Sequence, residues 1–185
     1  MMRSGVGATI GTFSSSLRML IFAAILLMTT SVIGPSNAAA QIAKPTGDTI
    51  LEIDGAIGQG NDGDRAVFDL SMLESFPADI VRTMTPWTDG VQEFRGVRLV
   101  NLLQAVKARG TSVVLTALNE YSITLDLPRY LPYQPLIAYQ HNGAEMPVSE
   151  KGPLWLVFPQ DDNPAIDRAD VHDLWVWQLY RITVR

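Results

Sequence analysis

At 185 residues, with a net charge of −5, no cysteine and 47% hydrophobic residues, the chain has room for one domain with a genuine apolar core. The excess of acid offers none of the basic patches that nucleic acid or an anionic membrane surface requires. Without cysteine there is no disulfide and no thiolate metal site, so stability must come from packing, for which four Trp, five Tyr and many branched aliphatics are available.

Residues 1–40 are set apart by composition. Arg3 and Arg18 are their only charges, residues 19–28 (MLIFAAILLM) form an apolar run of ten, and Ala38, Ala39 and Ala40 precede Gln41. Positive start, short apolar centre and small-residue end make a secretory signal peptide, with cleavage expected after Ala40. The run is too short to span a bilayer, which takes about 20 apolar residues. The expected location is periplasmic or secreted, with no stable membrane span after cleavage. Residues 41–185 then carry twelve Lys+Arg against nineteen acids, a net −7.

Residues 41–48 read as an N-terminal arm, and residues 49–185 as one domain. Residues 49–53 are the first expected strand, followed by a turn at residues 58–64 (GQGNDGD), whose Gly, Asn and Asp favour reversal of the chain. That turn has oxygen-bearing side chains but no terminal Glu to complete a calcium loop. Asp69 or Ser71 should start a short helix, with Glu74 at capping-box spacing from Ser71 and Pro77 as its stop. Residues 80–85 should form a strand. Leu99, Leu102, Leu103 and Val106 fall on one stripe of a helix that Gly110 is expected to close.

Residues 112–118 and 121–125 read as strands joined by a tight turn at Asn119-Glu120. Residues 136–140 form another, ending at an Asn142-Gly143 hairpin. Residues 154–158 are apolar enough for a strand buried on both faces. Residues 174–179 (LWVWQL) are too apolar for an exposed loop, and the alternation of Tyr180, Ile182 and Val184 with Arg181, Thr183 and Arg185 marks a half-buried last strand. Many short strands with two or three short helices give an α+β domain with a mixed, partly barrel-like sheet.

Five blocks in order carry a family likeness: Thr85-Pro86-Trp87, Phe94-Arg95-Gly96-Val97-Arg98-Leu99 with Leu102-Leu103, Ile137-Ala138-Tyr139 with Asn142-Gly143, residues 152–159 (GPLWLVFP), and the Trp-containing close at 175–182. Together they resemble the sulfite-oxidase-type molybdopterin-binding domain. The resemblance implies a sulfite-oxidase-like fold, a molybdopterin cofactor and oxidoreductase chemistry. It also implies a metal-ligating cysteine shortly before the Phe94 block, which here means Thr83, Met84 or Thr85, and none of these supplies a thiolate. Basic side chains that would hold the pterin phosphate are thin as well: Lys151 precedes Leu154-Trp155, and Val176-Trp177-Gln178 stand where a lysine is expected.

No catalytic residue and no metal ligand is assigned from the sequence. Ser/His/Asp sets and paired carboxylates with divided roles are missing. His141 and His172 are isolated, without the four-ligand spacing of a zinc site. The acidic residues 161–173 read as a solvated loop, and Trp175 and Trp177 as core. A pocket remaining on this scaffold would be bordered by Thr85, Trp87, Asn119, Tyr121 and Lys151, which offer hydroxyl, ring, amide, phenol and ammonium groups.

Two functions stand open at this point. One is a non-redox module that binds a small ligand or a membrane-bound partner protein, without cofactor. The other is a molybdopterin-dependent oxidoreductase whose metal has a non-cysteine ligand.

Overall fold

The computed structural model describes residues 41–185. The expected signal peptide at residues 1–40 lies outside them. The chain runs β1 (Leu51–Gly55), β2 (Ala66–Phe68), α1 (Leu70–Glu74), β3 (Ala78–Thr83), β4 (Gln92–Arg98), α2 (Leu99–Ala105), β5 (Ser112–Ala117), β6 (Ser122–Asp126), α3 (Leu127–Tyr130), β7 (Leu136–His141), β8 (Ala144–Glu145), β9 (Trp155–Val157), α4 (Ala169–His172) and β10 (Leu179–Val184). No helix among the described residues is long and apolar enough to cross a membrane.

The strands form two sheets. One has the order β2-β1-β10-β5-β6, with β1 and β10 parallel and the other neighbours antiparallel. The other has the order β3-β4-β7-β8, with β9 also pairing β7. The mixed α+β class is as the sequence implies, but the sheets are separate and no barrel closes. Side chains of both sheets meet in one core that includes Leu51, Ile53, Phe94, Leu115, Trp155 and Ile182.

Local chemistry explains most element ends. β1 alternates better than its sequence suggests: Leu51 and Ile53 are buried, while Glu52 faces Arg65 and Arg181 at 3.4 and 3.1 Å. Asp69, and not Ser71, caps α1, accepting the Met72 N–H at 2.8 Å. The Ser71 hydroxyl instead donates to Asp69, so no capping box forms. β3 begins and ends two residues earlier than expected, because Thr83 pairs with Gln92 at the strand's end and the chain then leaves the sheet.

The apolar stripe of α2 is buried as expected, but Gly110 does not close the helix. Lys107 does, at φ +52°, with Lys107 N–H donating to Gln104 O and Ala108 N–H to Leu103 O. This is the paired-bond C-terminal motif in which glycine usually takes the left-handed position. Gly110 is needed elsewhere, since a Cβ there would overlap the Arg185 carbonyl. The β7–β8 turn matches its sequence signal, with Asn142 at φ +49° and Gly143 at +80°.

Candidate functional site

Four tryptophans gather where the two sheets and the α4 region meet. β9 brings Trp155, whose backbone bridges to Trp177. The segment after α4 brings Trp175 and Trp177, and the loop after β3 brings Trp87. The Trp87 ring lies 5.2 Å from Trp177, 5.9 Å from Trp175, and 6.3 Å from both Trp155 and His172, centroid to centroid. Trp155 and Trp175 are buried and Trp87 and Trp177 half-buried. Such tilted and edge-on pairs suit the ring quadrupole.

The Trp87 loop is held by its own hydroxyls. Thr85 Oγ1 accepts the Trp87 N–H at 3.1 Å and shares a hydrogen bond of 2.7 Å with Thr88 Oγ1. One residue before this loop opens, Thr83 is fully buried. Its hydroxyl lies 3.1 Å from Met84 O and 3.2 Å from Asp161 Oδ1, and it accepts the Asp161 N–H at 3.2 Å. The Met84 N–H donates to the same carboxylate at 3.1 Å. The loop that follows β9 is thereby fastened to the end of β3.

Beside the tryptophans lies a cavity of about 300 Å³, walled by Trp87, Trp175, Trp177 and Tyr121 and rimmed by Asn119 and Asp173. The β5–β6 turn sets the near rim: Glu120 takes φ +66°, and Asn119 Oδ1 accepts the Tyr121 N–H at 3.1 Å. The Tyr121 hydroxyl donates to the Asp173 carbonyl at 3.1 Å, tying that turn to the segment after α4. Burial, and then the nearby Asp173 charge, push the Tyr121 phenol above its ordinary pKa. His172 also lines the cavity, and its Nε2 pairs with Asp167 at 3.0 Å.

Of the five residues expected to border a pocket, the structure brings Trp87, Asn119 and Tyr121 together. Thr85 is not a lining residue, because it is buried and spends its hydroxyl on the loop's own turn. Lys151 belongs to a neighbouring depression that it shares with Thr88, His141 and Glu150. It adopts φ +74°, and its ammonium lies over the Trp155 and Trp177 rings at 5.7 and 5.8 Å. His141 stacks on Phe94 with centroids 4.9 Å apart and bonds Gln92 through Nε2 at 2.8 Å. Burial, and then the Lys151 charge, hold its pKa below the ordinary value, with Glu150 opposing.

Sequence reasoning missed His172, Asp173, Trp175 and Trp177 as cavity residues. The available signal was the crowding of one acid, one imidazole and two indoles within residues 172–177. Among the described residues, no group of three or more His, Asp or Glu side chains is placed to hold a metal ion.

Comparison with known proteins agrees with this architecture. Residues 73–161 match the model of the oxidoreductase molybdopterin binding domain. That segment runs from α1 through β9 and includes the Thr83–Asp161 contact. The sulfane dehydrogenase SoxCD of Paracoccus pantotrophus is similar in structure, with a TM-score of 0.57 at 18% identity. The superposition covers 78% of this chain and 40% of that one, so the chain spans well under half the length of this relative. No curated protein matches. Residues 73–161 thus form a segment of the oxidoreductase molybdopterin-binding domain type, carried on a sulfite-oxidase-like fold.

Proposed function

We propose that this chain is an exported, non-redox member of its family, and that the tryptophan-walled cavity binds a small ligand. The observation that carries the proposal is the state of Thr83. The family likeness places a metal-ligating thiolate at residues 83–85, and the sequence has Thr, Met and Thr there. The Thr83 hydroxyl is fully engaged by Met84 and Asp161, and the Thr85 hydroxyl by Trp87 and Thr88. Met84 offers only a neutral thioether, on an exposed side chain. None of the three supplies a soft anionic donor.

The pterin phosphate fares no better. Lys151 places an ammonium over the ring cluster, but it is a single point charge. Arg129 and Arg168 are both committed to Asp170, at 3.4 and 3.0 Å. A phosphate buried beside one ammonium would lack the paired donors that offset its desolvation. The donor set therefore does not fit a molybdenum pyranopterin. The competing reading, a molybdopterin oxidoreductase with an oxygen ligand, draws on the family likeness, and the two hydroxyls at the expected position, Thr83 and Thr85, are both engaged.

Export is supported by the composition of residues 1–40. A mass measurement on protein recovered from the periplasm should show a chain starting at Gln41. The non-redox proposal is tested by expressing the full chain in a host that makes molybdopterin and assaying the purified protein for molybdenum and released pterin. Neither should be present. A stoichiometric amount of either would overturn the proposal.

A further inference from the structure

We infer that the cavity is a cation cage, and that its ligand is a small quaternary or methylated ammonium compound. This assignment rests on the small-ligand function proposed above and names the chemistry of that ligand. Three observations carry it.

The first is the angle between the walls. The Trp87 and Trp177 rings meet at 77° and those of Trp87 and Trp175 at 57°. A flat heterocycle is gripped between parallel faces, whereas walls steeply inclined to one another form a corner that suits a compact, rounded group. A trimethylammonium head has that shape, and indole faces attract it through their quadrupole. The space, about 300 Å³, is ample for such a head with a short polar tail.

The second is the sign of the charge at the rim. The Asp173 carboxylate has no side-chain partner among the described residues, and it lies close enough to Tyr121 to affect the phenol. His172, also at the rim, is already paired with Asp167. No Lys or Arg lines the cavity. An anion would meet an unopposed carboxylate there, and a cation would meet its counter-charge.

The third is a precedent within the molecule. From outside the cavity, the Lys151 ammonium already lies over Trp155 and Trp177. This ring cluster thus accepts an alkylammonium at ordinary cation–π distance, and Trp177 is shared between that contact and the cavity wall.

The test uses choline and its uncharged isostere 3,3-dimethylbutan-1-ol, titrated into the purified protein at constant ionic strength. Binding is followed by tryptophan fluorescence. Choline should give a saturable change, with the alcohol about tenfold weaker or more. Asp173→Asn, an exposed substitution that leaves the rings in place, should weaken choline about fivefold and leave the alcohol unaffected. Trp177→Leu should abolish the choline response, with circular dichroism confirming the fold.

Equal affinity for the two probes would overturn the cation assignment while leaving a small-ligand cavity in place. So would a choline response that Asp173→Asn does not change, or no saturable response to choline in folded protein. Molybdenum or pterin in the same preparation would overturn the underlying function, and this assignment with it.

Discussion

Thr83 and Asp161, 78 residues apart, satisfy each other: the Asp161 N–H donates to Thr83 Oγ1 at 3.2 Å, and the Asp161 carboxylate lies 3.2 Å from the same hydroxyl. A buried hydroxyl must find partners, and here those partners lie in the loop after β9. The loops on either side of the tryptophan cluster are joined by this contact. Thr83→Val keeps the shape and removes the acceptor, leaving the Asp161 amide unsatisfied. Thermal unfolding should show a loss of about 1–2 kcal/mol, and the Asp161 amide should exchange its hydrogen faster. Thr83→Ser, which retains the hydroxyl, should lose less.

Trp87 provides a second test of the cluster, because it is the half-buried ring that touches Trp155, Trp175, Trp177 and His172 at once. Trp87→Ala would remove one cavity wall and expose the faces of buried rings. A cost of about 2–4 kcal/mol is expected, near the lower part of the range for aromatic truncation because the site is open enough to take in water. Binding of a hydrophobic dye should rise in the variant. Trp87→Phe should recover most of the stability.

Much of the fold could be read from residues that act locally. The Asn142-Gly143 pair needs only its own left-handed φ values to set the β7–β8 hairpin, and the Leu99–Leu103 stripe needs only helical periodicity. What could not be read depends on distant partners. Gly110 looks like a helix stop until the Arg185 carbonyl is seen against it. Lys151 looks like a pocket residue until its left-handed backbone and the Trp155–Trp177 bridge place its ammonium over the indoles, outside the cavity. Thr85 fails as a lining residue for a different reason, since its own turn consumes the hydroxyl. Trp175 and Trp177 could be read as buried, but their place with His172 and Asp173 at a cavity could not, because the opposite rim is the distant β5–β6 turn, tied to this segment by the Tyr121 hydroxyl and the Asp173 carbonyl.

Gly152 separates steric demand from backbone conformation. A Cβ there would overlap the Met146 carbonyl, whereas at Gly143, which has φ +80°, a Cβ would meet nothing within 4 Å. Gly143→Ala should therefore cost only the left-handed strain, about 1 kcal/mol. Gly152→Ala must displace backbone next to β9 and should cost more than about 2 kcal/mol. Chemical denaturation of the two variants orders them directly. Equal losses would show that the contact at Gly152 relaxes freely.

Asp69 makes part of the stability pH-dependent. Its carboxylate accepts the Gly47, Met72 and Thr46 N–H groups at 2.8, 2.8 and 2.7 Å and the Ser71 hydroxyl at 2.8 Å. Those bonds, led by the Gly47 amide, hold its pKa well below the ordinary carboxylate value. The folded state thus favours the charged form. Its contribution is complete above the unfolded pKa of about 4 and is lost as pH falls below that toward the folded value. Asp69→Asn should lower the Tm at neutral pH by roughly 5 °C and flatten its dependence on pH below 4. The bonds to Thr46 and Gly47 should also loosen, which limited proteolysis near residue 46 would detect.

His141 gives the opposite chemistry with the same direction of pH dependence. Burial against Phe94 and the Lys151 charge both disfavour its protonated form, so its folded pKa lies below the ordinary value of about 6.5. The stability tied to the neutral ring is complete above that unfolded value and is lost as pH falls through the folded one. Lys151→Met removes one of the two causes and keeps the length of the side chain. The His141 pKa, followed by its ring-proton chemical shift, should rise in the variant but stay below that of an exposed histidine, because burial persists. Glu150→Gln should move it the other way, since that carboxylate favours the imidazolium. A His141 pKa indifferent to both substitutions would mean that burial alone sets it, and that the Lys151 charge is screened from the ring by solvent.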